Sequence, residues 1–212
     1  KEVEIIEYHD NQNILDIVRD TYIANIKENE DIYVIGARKK TVAEINIMLH
    51  KLLRKHDAII AASPEFRIND EVIYKRNDEK LGLVNGSTGR IVSGQTILQT
   101  TGIPEHADLV IDFKLEGLKA LEISDIKDTS KGEYYLQHAY SITCHSGQGS
   151  EFDTVIIVID GSKFVERSWL YTAITRAKKK AVVLMKTGQI QTILDRGFAF
   201  KSINAGLNVW KK

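Results

Sequence analysis

The sequence predicts an α/β domain interrupted by a small β-rich module, and three observations predict it. Strand-length apolar runs (Asp31-Ile-Tyr-Val-Ile-Gly36, Thr154-Val-Ile-Ile-Val-Ile-Asp160 and Ala181-Val-Val-Leu-Met185) alternate with segments of helical periodicity, the order that builds a parallel sheet. Residues 70–126 instead hold short strand-like runs separated by glycines and polar turns, the order of a small antiparallel barrel or sheet. The α/β pattern then returns after about residue 134.

Taken in order, Val3 to Ile6 reads as a strand. Residues 12–28 read as a helix with Ile14, Leu15, Val18, Tyr22, Ile23 and Ile26 on one face. After the buried strand 31–36, Thr41-Val-Ala-Glu44 has the spacing of a capping box, which predicts a helix start there. That helix turns Ile45, Met48, Leu49 and Leu52 inward. The β-rich module contains Glu71-Val-Ile-Tyr-Lys75, Gly89-Arg-Ile-Val92, Leu109-Val-Ile-Asp-Phe113 and Leu118 to Ile123, with turns at Asn85-Gly86 and Ser93-Gly94. Residues 164–178 read as a helix after the strand 154–160, and residues 188–196 as a short helix after the strand 181–185. Trp169 falls on the first of these with Leu170 and Ile174 on a similar face, which favours a core role over a base-stacking one.

Composition bounds the function. Hydrophobic content of 43% and charged content of 27% over 212 residues are those of a soluble globular chain. No apolar run approaches the roughly 20 residues that span a bilayer, so no membrane partner is expected. The single cysteine, Cys144, rules out an internal disulfide and predicts a reducing, cytoplasmic location. The 29 basic side chains are balanced by 29 acidic ones, which excludes a highly basic non-specific nucleic-acid binder but not a narrow basic groove. The chain begins at Lys1 and its first methionine is Met48, so a fragment or a processed product is expected.

Some chemistry is missing. There is no Gly-Lys dipeptide, hence no phosphate loop, and no strand ends in an acidic pair suited to Mg²⁺. The histidines and the cysteine show no metal-ligand spacing, so no metal site is expected. Cys144 and His145 adjoin, but adjacent side chains on a strand point to opposite faces and do not form a dyad.

Two segments carry the positive signal. Ala139-Tyr-Ser-Ile-Thr-Cys-His-Ser-Gly-Gln-Gly-Ser-Glu-Phe152 gathers Thr143, His145, Gln148 and Glu151 about two close glycines, Gly147 and Gly149. Tyr171-Thr-Ala-Ile-Thr-Arg-Ala-Lys178 places one arginine, Arg176, at the end of a helical stretch, and a guanidinium fork matches phosphate oxygens. These segments resemble motifs V and VI of superfamily 1 helicases, most closely the superfamily 1B branch of RecD-like, Dda-like and Pif1-like enzymes. Phe66-Arg-Ile-Asn-Asp-Glu-Val-Ile-Tyr-Lys-Arg-Asn77 and Gly82-Leu-Val-Asn-Gly-Ser-Thr-Gly89 resemble the family's entry into an inserted barrel, and Ile32-Tyr-Val-Ile-Gly-Ala-Arg38 stands where motif IV falls.

The resemblance implies the C-terminal half of a RecD-like DNA helicase. Residues 1–69 and 131–212 become a RecA-like motor domain (2A), with motifs V and VI in the second part; residues 70–130 become an inserted SH3-like β-barrel (2B). It implies ATP and Mg²⁺ as cofactors, bound mainly by a preceding RecA-like domain of the same parent chain. Single-stranded DNA is the implied partner, with nuclease or recombination subunits as further ones and repair or recombination as settings. Arg176 is implied as the arginine finger and Arg38 as a second phosphate-contacting arginine; the rival reading of Arg38 is a solvated residue in an Arg-Lys-Lys run. Gln148, Gly149 and Glu151 fall at nucleotide-side positions, and Thr143 and His145 at DNA-facing ones. Translocation in the 5′-to-3′ direction follows from the branch, and the fragment alone, without the Walker motifs, is expected to be inactive. The sequence departs from the family at Ser146-Gly147, where Lys-Ser is usual. That departure keeps open the alternative of a degenerate, non-catalytic helicase half that binds single strands or docks proteins.

Overall fold

The computed structural model describes residues 1–26, 31–96, 107–128, 131–146, 150–161 and 165–195. Its elements run β1 (Glu2–Tyr8), α1 (Ile14–Asn25), β2 (Ile32–Gly36), α2 (Lys39–Leu53), β3 (Glu71–Tyr74), β4 (Thr88–Gly94), β5 (Leu109–Phe113) and β6 (Gly117–Leu121). They continue through α3 (Ile123–Ile126), β7 (Lys127–Asp128), β8 (Glu133–Tyr134), β9 (Leu136–His138), β10 (Ser141–Thr143), β11 (Phe152–Ile159), α4 (Arg167–Thr175), β12 (Ala177–Lys186) and α5 (Gln189–Asp195). Two compact units result: residues 1–39 with 150–212, and residues 40–149.

In the first unit β1, β12, β11 and β2 pair side by side, all parallel. A parallel sheet needs both faces covered, which is why β11 reads as an unbroken apolar run and is buried from Thr154 to Ile159. Each such side chain contributes about 1.5–3 kcal/mol relative to an exposed one. Helix α1 packs against β11, α4 against β11 and β12, and α5 against β12. Helix α1 begins where Asn13, in extended conformation, accepts from the Leu15 N–H and satisfies one of the free amides of the first turn. Tyr33 of β2 stacks on Phe152 at 4.0 Å between ring centroids, fixing the N-terminal end of β11.

In the second unit the strand order is β6-β5-β4-β3-β9, every neighbouring pair antiparallel. A β-bulge between Ile91 and Ser93 bends β4. Tyr74, Leu83, Ile91, Leu109, Ile111, Phe113, Leu121 and Leu136 form the core this sheet covers. Gly89 permits the β4–β5 approach, because a Cβ there would lie 2.6 Å from the Asp112 carbonyl oxygen.

Three expectations are corrected. Helix α2 starts at Lys39, so Thr41 lies buried in the first turn and Thr41/Glu44 do not form the capping box that the spacing predicts. The antiparallel sheet also runs past residue 130, since β9 pairs with β3 from Val72↔His138 to Tyr74↔Leu136. Trp169 is half-buried on α4, where the sequence pattern favoured the core. No helix among the described residues is long and apolar enough to cross a membrane.

Candidate functional site

In the first unit, helix α4 runs into β12 without a loop. Arg176 is the C-cap of α4, in right-handed helical conformation, and Ala177 already belongs to β12. Ala177 stands opposite Phe152, and the Phe152 N–H donates to the Arg176 carbonyl at 2.8 Å. The same pairing sets Ser150 and Glu151, just ahead of β11, beside Arg176 at the N-terminal edge of the sheet. The Arg176 guanidinium is half-buried and weakly tethered. Its Nη1 donates to the Ser150 carbonyl at 3.5 Å, the long limit for such a bond, and its buried Nε finds no acceptor among the described residues. A buried donor without a partner costs about 1–3 kcal/mol, which an anionic ligand would relieve. Glu151 is exposed next to it. A cation that matches phosphate oxygens and a carboxylate that accepts from hydroxyls thus share one edge.

Arg38, expected as a second phosphate-contacting arginine, does not share this edge with Arg176. It follows the C-terminal end of β2, where its Nε lies 3.5 Å from Asp160 Oδ1 at the C-terminal end of β11. The strands are parallel, so Arg38 and Arg176 stand at opposite edges, separated by the length of β11. At 3.3 Å per residue that is roughly 25 Å, beyond what two arginine side chains close on a single phosphate. Near Arg38, Tyr8 donates to the Ile159 carbonyl at 3.1 Å, and burial, with the charges of Asp160 and Asp10, pushes its phenol up to about 12.

In the second unit, Thr143 ends β10 and the chain turns through Cys144, His145 and Ser146. The Ser146 N–H donates to Thr143 Oγ1 at 3.3 Å, and the two hydroxyl oxygens are 2.9 Å apart. Thr143 therefore braces the turn, while His145 is exposed on it. The Lys75 ammonium, from the segment after β3, donates to Ser146 Oγ at 2.9 Å. Gly147, Gln148 and Gly149 lie outside the described residues, so the expectations on Gln148 and Gly149 have no structural counterpart here.

The second unit also holds a polar cluster that sequence spacing did not reveal. Asp70, fully buried, lies between His50 Nδ1 at 2.8 Å from its Oδ1 and His138 Nε2 at 3.3 Å from its Oδ2. The Tyr140 hydroxyl donates to Oδ1 at 2.6 Å and the Arg67 N–H to Oδ2 at 2.7 Å. Arg54 Nε in turn donates to the Tyr140 oxygen at 3.1 Å. Burial alone would raise the Asp70 carboxyl, but the bonds from His138, Tyr140 and the Arg67 amide and the charge of His138 outweigh it and hold it below the usual range. Burial and the Asp70 charge push the Tyr140 phenol up. The two imidazoles and the carboxylate present one ligand atom each within 4.8 Å of one another, a donor set that divalent cations accept. Both Asp70 oxygens, however, already accept two contacts each, so the cluster is complete without one.

Comparison with known proteins follows the same outline. Residues 138–184 match the family described as UvrD-like helicase C-terminal domain. The RecBCD enzyme subunit RecD of Mycobacterium tuberculosis is 29% identical over 127 residues, 59% of this chain and 19% of that protein. The ATP-dependent RecD2 DNA helicase of Deinococcus radiodurans is 29% identical over 121 residues, 56% of this chain and 14% of that protein. An uncharacterized protein of Methanocaldococcus jannaschii is 50% identical over 56 residues, 26% of this chain and 5% of that protein. The chain thus spans less than a fifth of the length of these curated relatives. Among solved structures, a Bacteroides Pif1 helicase in complex with ADP-AlF3 and single-stranded DNA superposes with a TM-score of 0.50 at 19% identity, over 90% of this chain and 50% of that one. That likeness bears on the fold.

Proposed function

We propose, from the likeness of residues 138–184 to the UvrD-like helicase C-terminal domain and of the wider chain to RecD proteins, that this chain is the C-terminal half of a RecD-like superfamily 1B helicase and supplies the second motor domain of an ATP-dependent 5′-to-3′ DNA helicase. The observation that carries the proposal is the half-buried Arg176 guanidinium, whose Nε has no acceptor among the described residues. A phosphate oxygen delivered by a nucleotide would complete its bonding. In this reading Arg176 is the arginine finger and stabilises charge spread on the transferring phosphoryl group, an effect worth about 10³–10⁵ in rate in other phosphoryl-transfer enzymes. Glu151 accepts from the ribose, with Gln148 and Gly149 beside it on the nucleotide side.

The 212 residues hold no phosphate loop and no acidic pair for Mg²⁺. ATP and its Mg²⁺ are therefore held mainly by a RecA-like domain elsewhere in the parent chain, and this portion alone does not turn over ATP. ATP hydrolysis supplies the free energy for movement; this chain contributes the finger and part of the strand track. Thr143 and His145 face the strand's phosphates, contacts that position DNA without reading its sequence. The antiparallel insert takes the place of the SH3-like barrel 2B, and nuclease or recombination subunits are the partners the RecD likeness favours.

Arg176→Ala in the full-length parent tests the assignment. The expected result is a fall of about 10³ in single-strand-stimulated ATPase with oligonucleotide affinity nearly unchanged. Equal loss of both would overturn it. A parent with no ATPase before substitution would support the second reading, a non-catalytic helicase half, which the Ser146-Gly147 departure favours.

A further inference from the structure

The β-rich insert reaches the motif V turn through one side chain. Lys75 directly follows β3, and its Nζ donates to Ser146 Oγ at 2.9 Å although 71 residues separate them in sequence. Ser146 Oγ is in turn 2.9 Å from Thr143 Oγ1, so an ammonium and two hydroxyls form a continuous chain of polar groups. The backbone sustains the approach. Gly86, in the segment between β3 and β4, has φ of +107°, and a Cβ there would lie 3.2 Å from the Ser146 carbonyl oxygen. A Cβ there would be a tight contact, and the φ is one that side chains rarely adopt, so glycine suits the place where the insert and the turn meet. His145 is exposed on the same turn.

The ammonium, the one hydroxyl proton not used in the Ser146–Thr143 bond and the imidazole are donors suited to a tetrahedral anion. An ammonium has three donors, so Lys75 can hold Ser146 and an incoming oxygen together. A hydroxyl that accepts from a cation is polarised toward donating its own proton outward. Position 146 is also where this sequence departs from the helicase pattern by carrying serine instead of lysine, and the Lys75 ammonium lies one hydrogen bond beyond that serine's side chain.

We propose that Lys75, oriented by the Ser146 hydroxyl, supplies the cationic contact to a single-strand phosphodiester that position 146 lacks, so that the motif V phosphate site is shared between the insert and the motif itself. The proposal rests on the reading of this chain as a DNA motor domain. It assigns the insert a part in gripping the strand, and it makes Ser146 and Lys75 a matched pair: serine at 146 leaves the room that the ammonium uses.

The experiment measures oligo(dT) affinity of the full-length parent by fluorescence anisotropy between 50 and 200 mM salt. The proteins are the unsubstituted chain, Lys75→Gln, Lys75→Arg, and the double variant Lys75→Gln with Ser146→Lys. Removing one phosphate contact lowers the slope of log K against log salt by about 0.7 for a single strand, so Lys75→Gln should lose roughly 2–3-fold less affinity across that salt range than the unsubstituted chain. It should also bind more weakly at 50 mM. Lys75→Arg keeps the charge and should keep the slope. The double variant returns the cation to position 146 and should recover the slope, which a purely structural role for Lys75 would not produce. An unchanged slope in Lys75→Gln, with normal binding by the unsubstituted protein, would overturn the Lys75 assignment and leave the motor reading standing. No oligonucleotide binding by the unsubstituted protein would overturn both.

Discussion

Asp70 and Arg176 are both charged side chains drawn into the protein, and they are treated in opposite ways. Asp70 sits at zero exposure with contacts on both oxygens from His50, Tyr140, His138 and the Arg67 amide. Among the described residues, Arg176 has one side-chain bond at the limit of length and a buried Nε with no acceptor. A charge with a full set of partners within the fold has its free energy accounted for by folding. A charge left short of partners remains available to something that arrives later. That contrast separates a structural cluster from a candidate functional group more sharply than burial or charge does.

The contrast breaks if the two residues fail to dissociate on substitution. Arg176→Ala should cost the parent about 10³ in ATPase, near 4 kcal/mol of activation free energy, while the denaturant midpoint shifts by less than about 0.5 kcal/mol in free energy. Asp70→Ala should do the reverse within the same assays. Removing the carboxylate strands the hydrogen-bond donors of two imidazoles, a phenol and an amide in a buried place, which costs about 3 kcal/mol or more of stability. Urea titration of both variants beside the parent measures this; a destabilised Arg176→Ala of equal size would mean that its guanidinium is structural.

The acid response sharpens the same comparison. The folded Asp70 carboxyl lies below its ordinary value because His138 and Tyr140 favour the charged form over the penalty of burial. A depressed carboxyl contributes stability that is present above the unfolded value, near 3.9, and is lost as pH falls through the folded one. The unsubstituted chain should therefore lose stability below about pH 4 more steeply than Asp70→Asn, which has no proton to take up there. Urea midpoints collected from pH 3 to pH 7 check the sign; parallel curves would show that Asp70 contributes nothing to the acid limb.

Why one of these residues was legible in the sequence and the other was not has a physical answer. Arg176 belongs to a local pattern, a helix that runs straight into a buried strand, and both are written in contiguous residues. The runs of β2, β11 and β12 were readable for the same reason, since strands covered on both faces must be apolar throughout. The Asp70 cluster draws on positions 50, 70 and 138, and the Lys75–Ser146 bond on positions 71 residues apart, so no window of sequence contains either. Strand β9 has three residues, too few for an alternation to register, which is why the sequence pattern ends the insert near residue 130. The start of α2 was misplaced because Thr41 and Glu44 have capping spacing wherever they fall, while Lys39 and Lys40 already continue the helix.

Gly86 gives a smaller effect on the same scale. At φ of +107°, with Ser146 backbone 3.2 Å from a would-be Cβ, Gly86→Ala meets both a disfavoured conformation and a tight backbone contact. About 1–3 kcal/mol of stability should be lost. The oligonucleotide salt slope should fall with it, since the turn that carries Ser146 must shift away from Lys75. Thermal unfolding and anisotropy on one preparation measure the two together; lost stability with an unchanged slope would uncouple the glycine contact from the phosphate site.

The smallest effect expected is at Arg38. Its sequence context resembles that of a phosphate-contacting arginine, and register sets it apart from Arg176: Gly36 pairs with Val158 and Ala177 with Phe152, so the two arginines leave the sheet at opposite ends. Asp160 is largely buried, but more than half of the Arg38 side chain is exposed, so solvent screens their 3.5 Å approach and leaves it worth about 0–1 kcal/mol. Arg38→Ala should therefore shift stability by less than about 1 kcal/mol and leave the parent's ATPase far above the level of Arg176→Ala. If both substitutions abolish hydrolysis equally, Arg38 must reach the nucleotide by a route other than the edge that holds Arg176. A bound nucleotide would then have to extend along the sheet instead of resting at one end of it.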